Sequence, residues 1–173
     1  MASDFTAPNP EPLLQVRDLR VTLQTPAGPA QAVRGIDFDL ARGQSLGLIG
    51  ESGCGKSLTA MALMGLQPEG AQVTGSLRFA GRELLGLPEA QWCGLRGNRI
   101  GMVFQEPMTA LNPVHAVGDQ VAEPLRHHRG LDRAAARVRA RELLDRVGIP
   151  DAARRLDAYP HQFSGGQRPR ITI

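Results

Sequence analysis

Aromatic residues, cysteines and long apolar runs are scarce in this sequence, and each shortage excludes a class of protein. Phe, Trp and Tyr make up 4% of the chain, so a core has to be packed from Leu, Val, Ile, Ala and Met. Two cysteines do not make a disulfide framework, and the reduced thiols of a cytosolic protein are expected. No apolar run approaches the ~18 residues of a membrane span. Residues 1–12 have neither a basic start nor an apolar stretch, which predicts a disordered tail and no secretion signal.

Neither the basic nor the acidic residues are concentrated in one part of the sequence. The 20 basic and 17 acidic residues give a net charge of +3 and a pI near 9.5, and no block of five like charges occurs. Because a nucleic-acid footprint is a clustered basic patch, no direct nucleic-acid binding is expected. With 173 residues, 42% of them hydrophobic and 21% charged, the composition is that of a soluble globular protein. The length allows one domain, or one domain plus part of another.

The first part of the chain predicts strands and short helices. Residues 13–24 and 32–40 alternate apolar and polar side chains, which predicts an antiparallel hairpin or meander. Residues 45–49 and 100–104 are apolar on both faces, as in buried parallel strands. The other elements predicted here are a helix over 58–66 that ends near Gly65, a strand over 74–84 and a short helix over 88–96.

The last third of the chain changes to helical patterns. Residues 117–129 predict a helix that Pro124 interrupts or starts. Over residues 132–147, Asp132 can cap a helix whose apolar residues recur on one face. These apolar positions are Ala136, Ala140, Leu143, Leu144 and Val147. Three arginines on another face of this helix predict a solvated surface, namely Arg133, Arg137 and Arg141.

Residues 50–57 match the pattern G-x-x-x-x-G-K-[ST], in which every fixed position has a chemical role. The glycines let backbone N–H groups curl around a phosphate, and the following helix points its positive end at it. Lys56 reaches the β- and γ-phosphates, and Ser57 holds Mg²⁺. Lys56 is also the only lysine in the chain. The pattern predicts a site for a nucleoside triphosphate with Mg²⁺.

Two further segments place polar groups where ligands often bind. Ser164 begins the run S-G-G-Q and can cap a helix whose open N–H groups would accept an anion, although S-G-G-Q alone fits any loop-to-helix junction equally well. With this cap, Pro169 would be the fifth helical residue, where its ring and missing N–H destabilise a helix. Gln105 is predicted at the end of the buried strand over 100–104, and ligand groups often lie at such strand ends.

With these motifs in this order, the sequence resembles the ATP-binding subunits of ABC transporters from about residue 13 to residue 173. The phosphate loop over 50–57, the glutamine loop at Gln105 and the signature over 164–167 carry the resemblance. Three segments narrow it to the dipeptide and oligopeptide importer branch, which also includes nickel and glutathione importers. They are G-E-S-G over 50–53, Q-E-P-M-T-A-L-N-P over 105–113 and Y-P-H-Q-F over 159–163.

The resemblance implies an α/β fold of the P-loop NTPase (ABC ATPase) type, with an N-terminal antiparallel β meander and a helical subdomain. The expected parts are a tail over 1–12, the N-terminal part of the core over 13–107, a helical subdomain over 108–163, and the signature with the start of its helix over 164–173.

The resemblance also implies the site residues. Lys56 and Gln105 would act in catalysis, and Ser57 and Gln105 would hold Mg²⁺. Tyr159 and His161 would support the signature, or they are ordinary loop residues. The residues expected to contact ATP are Gly50, Glu51, Ser52, Gly53, Cys54, Gly55, Lys56, Ser57, Leu58, Ser164, Gly165, Gly166 and Gln167.

The partners implied are those of an importer. Two ATP-binding subunits would enclose two ATP molecules head to tail, with the phosphate loop of one facing the signature of the other. The pair would bind transmembrane permease subunits at the cytoplasmic face of the plasma (inner) membrane, as a peripheral protein. It would serve a periplasmic or extracellular solute-binding protein indirectly.

The sequence departs from the family pattern at three points. In the family, an aspartate holds Mg²⁺, a glutamate activates water and a later histidine completes the site, and none of the three has a counterpart up to Ile173. This predicts that the C-terminal part of the core is missing. It also predicts that residues 1–173 alone do not turn over ATP. No aromatic residue lies between Asp18 and Asp37, where the family stacks adenine, and Leu23 occupies that region. Pro169 replaces a glutamine of the signature helix. Two alternatives therefore stay open, a nucleotide-binding fragment without turnover and a soluble ABC ATPase that acts on nucleic acid.

Overall fold

The computed structural model describes residues 11–105 and 110–173. The described residues form two compact units, and the division lies between Trp92 and Cys93. Most of the predicted tail over 1–12 and residues 106–109 of the Q-E-P segment lie outside the described residues. The predicted boundary between residues 107 and 108 lies there too, and it stays a prediction.

An antiparallel sheet with the strand order β2-β1-β3-β4 organises the first unit. Its strands are β1 (Leu14–Thr25), β2 (Gly28–Leu40), β3 (Gln72–Phe79) and β4 (Arg82–Glu83). Strand β1 pairs with both β2 and β3, which confirms the predicted meander. The single strand predicted over 74–84 is in fact two strands, because Ala80 and Gly81 adopt φ values of 49° and 78° and turn the chain back.

Two helices follow the predictions closely, α1 (Lys56–Leu63) and α2 (Glu89–Leu95). Helix α2 lies within the predicted range 88–96, whereas α1 begins two residues before the predicted range 58–66. Helix α1 ends at the expected place because Gly65 adopts φ 62°, the left-handed conformation that follows many helices. Gly65 also lies against the buried ring of Trp92, where a Cβ would come within 2.5 Å of the ring. The buried apolar residues of this unit are Val16, Leu19, Val21, Val33, Leu58, Ala62, Met64, Leu77, Leu84 and Trp92.

The prediction of a buried strand over residues 45–49 is wrong. This segment forms no strand, and the side chain of Ile49 is 98% exposed. An apolar sequence favours burial, but a strand exists only through hydrogen bonds to a neighbouring strand. Within residues 11–105 and 110–173, no strand pairs with this segment.

The second unit is helical. Its elements are α3 (Val117–Arg129), α4 (Arg133–Arg146), α5 (Ala152–Arg155), a 3-10 helix (Pro160–Gln162) and α6 (Arg168–Thr172). Asp132 caps α4 as predicted, since its Oδ1 accepts the N–H of Ala135 at 2.8 Å. Pro124 lies inside α3 and does not interrupt it. The core that these helices share consists of Val117, Ala122, Ala136, Ala140, Leu144, Ile149, Ala152, Leu156, Phe163 and Ile171.

The arginine row of α4 is not uniformly solvated, which corrects the prediction for Arg137. Its guanidinium is half-buried and donates to Asp119 Oδ1 at 3.1 Å and to Asp157 Oδ1 at 2.7 Å. One arginine therefore connects α3, α4 and the turn after α5. Arg133 and Arg141 are exposed, as expected.

The second predicted buried strand, over residues 100–104, is also wrong. Among the described residues, the segment makes one bridge of the strand type, between Arg96 and Ile100. Its apolar side chains are not buried, since Val103 and Phe104 are 56% and 49% exposed. Apolar side chains again do not make a strand where no neighbouring strand continues the hydrogen bonding. Across residues 11–105 and 110–173, no helix has the length and apolarity that crossing a membrane requires.

Candidate functional site

The phosphate loop connects the segment after β2 to the start of α1, and its shape depends on glycine. Gly53 and Gly55 adopt φ values of 82° and 92°, which residues with a side chain rarely adopt. A Cβ on Gly55 would lie 2.8 Å from the Ala32 carbonyl oxygen of β2. The loop can therefore press against the sheet only because this residue has no side chain.

The Lys56 ammonium lies back over the same loop. Its Nζ donates to the carbonyl oxygens of Gly50 and Glu51, both at 2.6 Å, and lies 3.3 Å from Cys54 Sγ. A Cβ on Gly50 would come within 2.5 Å of Cys54 Sγ and 3.9 Å of Lys56 Nζ. The close approach of Cys54 Sγ thus requires glycine at position 50, and the positive charge of Lys56 lies beside it.

Helix α1 supplies further donors at the same place. Gly55 is its N-cap and accepts the N–H of Thr59 at 2.8 Å, so the N–H groups of the first helical residues have no partner within the helix. Ser57 is exposed, whereas the side chain of Leu58 is buried. Leu58 can therefore offer a ligand only its backbone N–H. Glycine-bounded N–H groups, a helix N-terminus and one ammonium are the donor set that a polyphosphate fits.

A cavity of about 430 Å³ lies beside the loop, between the loop and β2. It is lined by Gln31, Ala32, Val33, Arg34, Gly35, Ile36, Gly53, Cys54 and Thr59. The residues of β2 were not predicted as part of the site. Their alternating pattern identifies a strand, but which loop that strand faces depends on contacts between residues far apart in the chain.

The other predicted site residues belong to the second unit. Gln105 is exposed at a bend, where the prediction placed it at the end of a buried strand. The signature residues form a turn whose first member, Ser164, accepts the N–H groups of Gln167 at 3.0 Å and Arg168 at 3.2 Å through its carbonyl oxygen. Ser164, Gly165 and Gly166 are exposed on this turn.

The start of the signature helix differs from the prediction. Helix α6 begins at Arg168 with Gln167 as its N-cap, so Ser164 opens a preceding turn and does not cap the helix. Pro169 consequently lies in the first turn of α6, where a missing N–H costs no helical hydrogen bond. The predicted helix penalty from Pro169 is therefore wrong.

Tyr159 and His161 lie just before the signature. Their rings stack on each other with centroids 5.9 Å apart and planes 13° apart, and both side chains are exposed. The Tyr159 N–H donates to Gln162 Oε1 at 2.8 Å, which closes the 3-10 turn. Their support of the signature stays a prediction.

Protein side chains do not form a ready-made metal centre in the part of the chain that the structure describes. No group of three or more His, Cys, Asp or Glu residues is close enough there to hold an ion. Oxygen atoms of Ser57 and of a bound polyphosphate are the kind of ligand that Mg²⁺ accepts, since this ion usually binds few protein groups and several phosphate and water oxygens.

Comparison with protein families gives one match over most of the chain. Residues 33–173 match the model of a family described as ABC transporter. The dipeptide transport ATP-binding protein DppD of Lactococcus lactis is 49% identical over 165 residues, which are 94% of this chain and 47% of that protein. The oligopeptide transport ATP-binding protein OppD of Salmonella typhimurium is 49% identical over 174 residues, 99% of this chain and 52% of that protein. The chain thus spans about half the length of these curated relatives.

Solved structures agree on the fold. The ATP-binding cassette MJ0796, in a dimeric post-hydrolysis state bound to ADP and Pi, superposes with a TM-score of 0.78 at 24% identity. The match covers 92% of this chain and 66% of that one. At this identity the likeness establishes the fold, an α/β ATP-binding cassette with an antiparallel meander and a helical part.

Proposed function

The chain belongs to the ABC transporter family, and we propose that it is the ATP-binding part of an importer subunit that couples ATP binding and hydrolysis to uptake of peptides or similar small solutes. The observation that carries the proposal is the phosphate loop, with Lys56 Nζ held over two loop carbonyls at the start of α1. The names of the relatives, which are dipeptide and oligopeptide transport ATP-binding proteins, support peptides as the transported class.

The chemistry proposed for this site uses ATP and Mg²⁺. Lys56 neutralises the β- and γ-phosphates, and the glycine N–H groups with those at the start of α1 bind their oxygens. Ser57 provides an exposed hydroxyl for Mg²⁺. Gln105 is assigned a second contact to Mg²⁺ and the attacking water, and the turn at Ser164 is assigned to the γ-phosphate of a second subunit's nucleotide.

The proposed assembly is a pair of ATP-binding subunits on transmembrane permease subunits, at the cytoplasmic face of the membrane. The dimeric state of the MJ0796 cassette supports the pairing, and the names of the relatives support a transport role. A periplasmic or extracellular solute-binding protein would act through the permease, without touching this chain.

A second candidate is a chain that binds nucleotide without hydrolysing it. It is favoured by the recorded contacts of Lys56 Nζ, which are the carbonyl oxygens of Gly50 and Glu51 and Cys54 Sγ. These groups suit phosphate binding, whereas hydrolysis also needs a group that orients the attacking water. Both candidates require ATP binding at the phosphate loop, and steady-state turnover of Mg-ATP separates them.

The binding step is tested with Lys56→Ala, and Arg42→Ala is the matched control. Both changes remove one positive charge from the first unit, but Arg42 is exposed in the turn after β2, away from the loop motif. We expect Lys56→Ala to abolish Mg-ATP binding in titration calorimetry, because the only ammonium at the phosphates is lost, and Arg42→Ala to bind as the wild type. Equal affinity of Lys56→Ala and wild type would refute the nucleotide site.

A further inference from the structure

Arg155 of α5 contacts residues at both ends of the signature turn over 164–167. The Arg155 guanidinium lies 5.3 Å from the centroid of the Phe163 ring, and its Nη1 donates to Gln167 Oε1 at 3.3 Å. The same Oε1 accepts the backbone N–H of Ser164 at 3.0 Å. One side chain therefore contacts the residue before the turn and the residue that ends it.

The position of Gln167 Oε1 determines which groups of the turn remain available. This oxygen accepts from two donors within the chain, Arg155 Nη1 and the Ser164 N–H. Gly165 and Gly166, which lie between Ser164 and Gln167, are exposed. Phe163 is 3% exposed and anchors the turn in the helical core. Arg155 thus connects the buried anchor to the exposed glycines through Gln167.

A glycine-rich turn needs such an anchor if it is to bind a ligand tightly. Adjacent glycines have more backbone conformations than any other pair, and a turn that samples them loses that freedom when it binds. Contacts that hold the turn beforehand reduce this entropic cost, which is the physical meaning of preorganisation. The interaction of an arginine with an aromatic face and a carbonyl oxygen is suited to this, because the guanidinium is planar and its donors are fixed in direction.

We propose that Arg155 is a positioning residue, which holds the turn over residues 164–167 in the conformation that meets the nucleotide phosphate. It acts through Gln167 and does not touch the nucleotide. Gln167 then has an internal role, as the acceptor that fixes the Ser164 N–H, and the exposed Ser164, Gly165 and Gly166 are the residues that face a ligand. The inference rests on the proposed function only for the identity of that ligand.

The test compares Arg155→Ala, Arg155→Lys and the control Arg154→Ala. Arg154 is the exposed neighbour of Arg155 on α5, and its backbone N–H donates to the Asp151 carbonyl oxygen. Hydrogen exchange of the Ser164 amide, followed by NMR, reports the bond to Gln167 Oε1 directly. We expect Arg155→Ala to speed this exchange about fivefold to tenfold, as for the loss of roughly one hydrogen bond. Arg155→Lys keeps a donor and a cation over the ring and should restore slow exchange, and Arg154→Ala should exchange as the wild type.

The second measurement is kinetic, in the complete transporter. Arg155→Ala is expected to lower kcat about tenfold, while KM for ATP and the affinity at the phosphate loop stay within about twofold. If Arg155→Ala does not fold, Gln167→Glu replaces it, since a carboxylate at this position accepts the same two donors more strongly and should slow the Ser164 exchange.

Two results overturn the proposal. One is Ser164 exchange that is unchanged in Arg155→Ala, or in Gln167→Glu where Arg155→Ala does not fold, and the other is an Arg154→Ala variant that behaves like Arg155→Ala. A failure of the nucleotide assignment is recognised separately, because it would appear as unchanged ATP binding in Lys56→Ala whatever the Ser164 amide does.

Discussion

Single residues decide whether the phosphate loop can form, and Gly55 is the position with the least freedom. Its φ of 92° disfavours any side chain, and the Ala32 carbonyl oxygen lies 2.8 Å from where a Cβ would stand. The neighbour is backbone of a paired strand, so it cannot move aside as a flexible side chain would. Sequence pattern and structure agree here, because the motif requires glycine at this place.

We predict that Gly55→Ala lowers both stability and nucleotide binding. Backbone strain of this kind costs about 1–3 kcal/mol, and the loop has to move away from β2 to relieve it. Gly47→Ala is the control, since Gly47 has an ordinary φ and open space around its Cα. Thermal unfolding and Mg-ATP titration of both variants test this. A Gly55→Ala protein as stable as Gly47→Ala would show that the contact with Ala32 is not constraining.

At the scale of elements, one carboxylate stabilises the hairpin of β3 and β4. Glu83 Oε1 accepts the N–H groups of Leu77, Leu84 and Leu85, and its Oε2 accepts the Ser76 hydroxyl at 2.6 Å. Burial raises the pKa of Glu83, but these hydrogen bonds outweigh burial and the pKa lies below its ordinary value. The charged form is therefore the one that the folded hairpin prefers.

The depressed pKa gives stability a defined pH dependence. The contribution of Glu83 is fully present above its ordinary pKa and is lost as the pH falls through the lower value of the folded state. We predict that Glu83→Gln is less stable than wild type by about 1 kcal/mol at pH 7, and that the difference shrinks in acid. Glu69→Gln, at an exposed position, should have no such effect. Urea unfolding at neutral and acidic pH measures both, and a pH-independent difference for Glu83→Gln would contradict the assignment.

At the scale of the whole molecule, apolar side chains remain exposed in both units. In the first unit they lie in residues 45–49, with Leu46, Leu48 and Ile49, and in the second they include Val103 and Phe104. Neighbouring exposed apolar residues differ from single ones, which are common on any surface. These two segments are the ones whose sequences predict buried strands.

We predict that the protein as given by these 173 residues binds a hydrophobic dye such as ANS and self-associates at high concentration. Ile49→Thr should reduce dye binding without lowering Tm, because the 98% exposed side chain contributes nothing to the core. Val138→Thr changes a single exposed residue of α4 and should leave dye binding unchanged. Fluorescence titration with size-exclusion chromatography is the measurement. A monodisperse monomer that binds no dye would rule the prediction out.

Patterns that depend on neighbours in the sequence determined much of this protein. The alternation in β1 and β2, the Asp132 cap and the apolar face of α4 predict those elements, because each pattern is carried by residues that are close together in the sequence. The same holds for the phosphate loop, whose glycines, lysine and following helix are contiguous. The family could be recognised for this reason from motifs alone.

Tertiary structure decided what depends on distant partners. Residues 45–49 and 100–104 carry the composition of strands, but hydrogen bonding to another strand makes a strand, and none of the described strands provides it. Arg137 forms ion pairs with Asp119 and Asp157, because the fold of the helical unit brings these distant residues together. Gln167 became the cap of α6 and the acceptor for Ser164 and Arg155, because α5 packs beside the turn. A sequence states which groups are available, and the fold determines which of them meet.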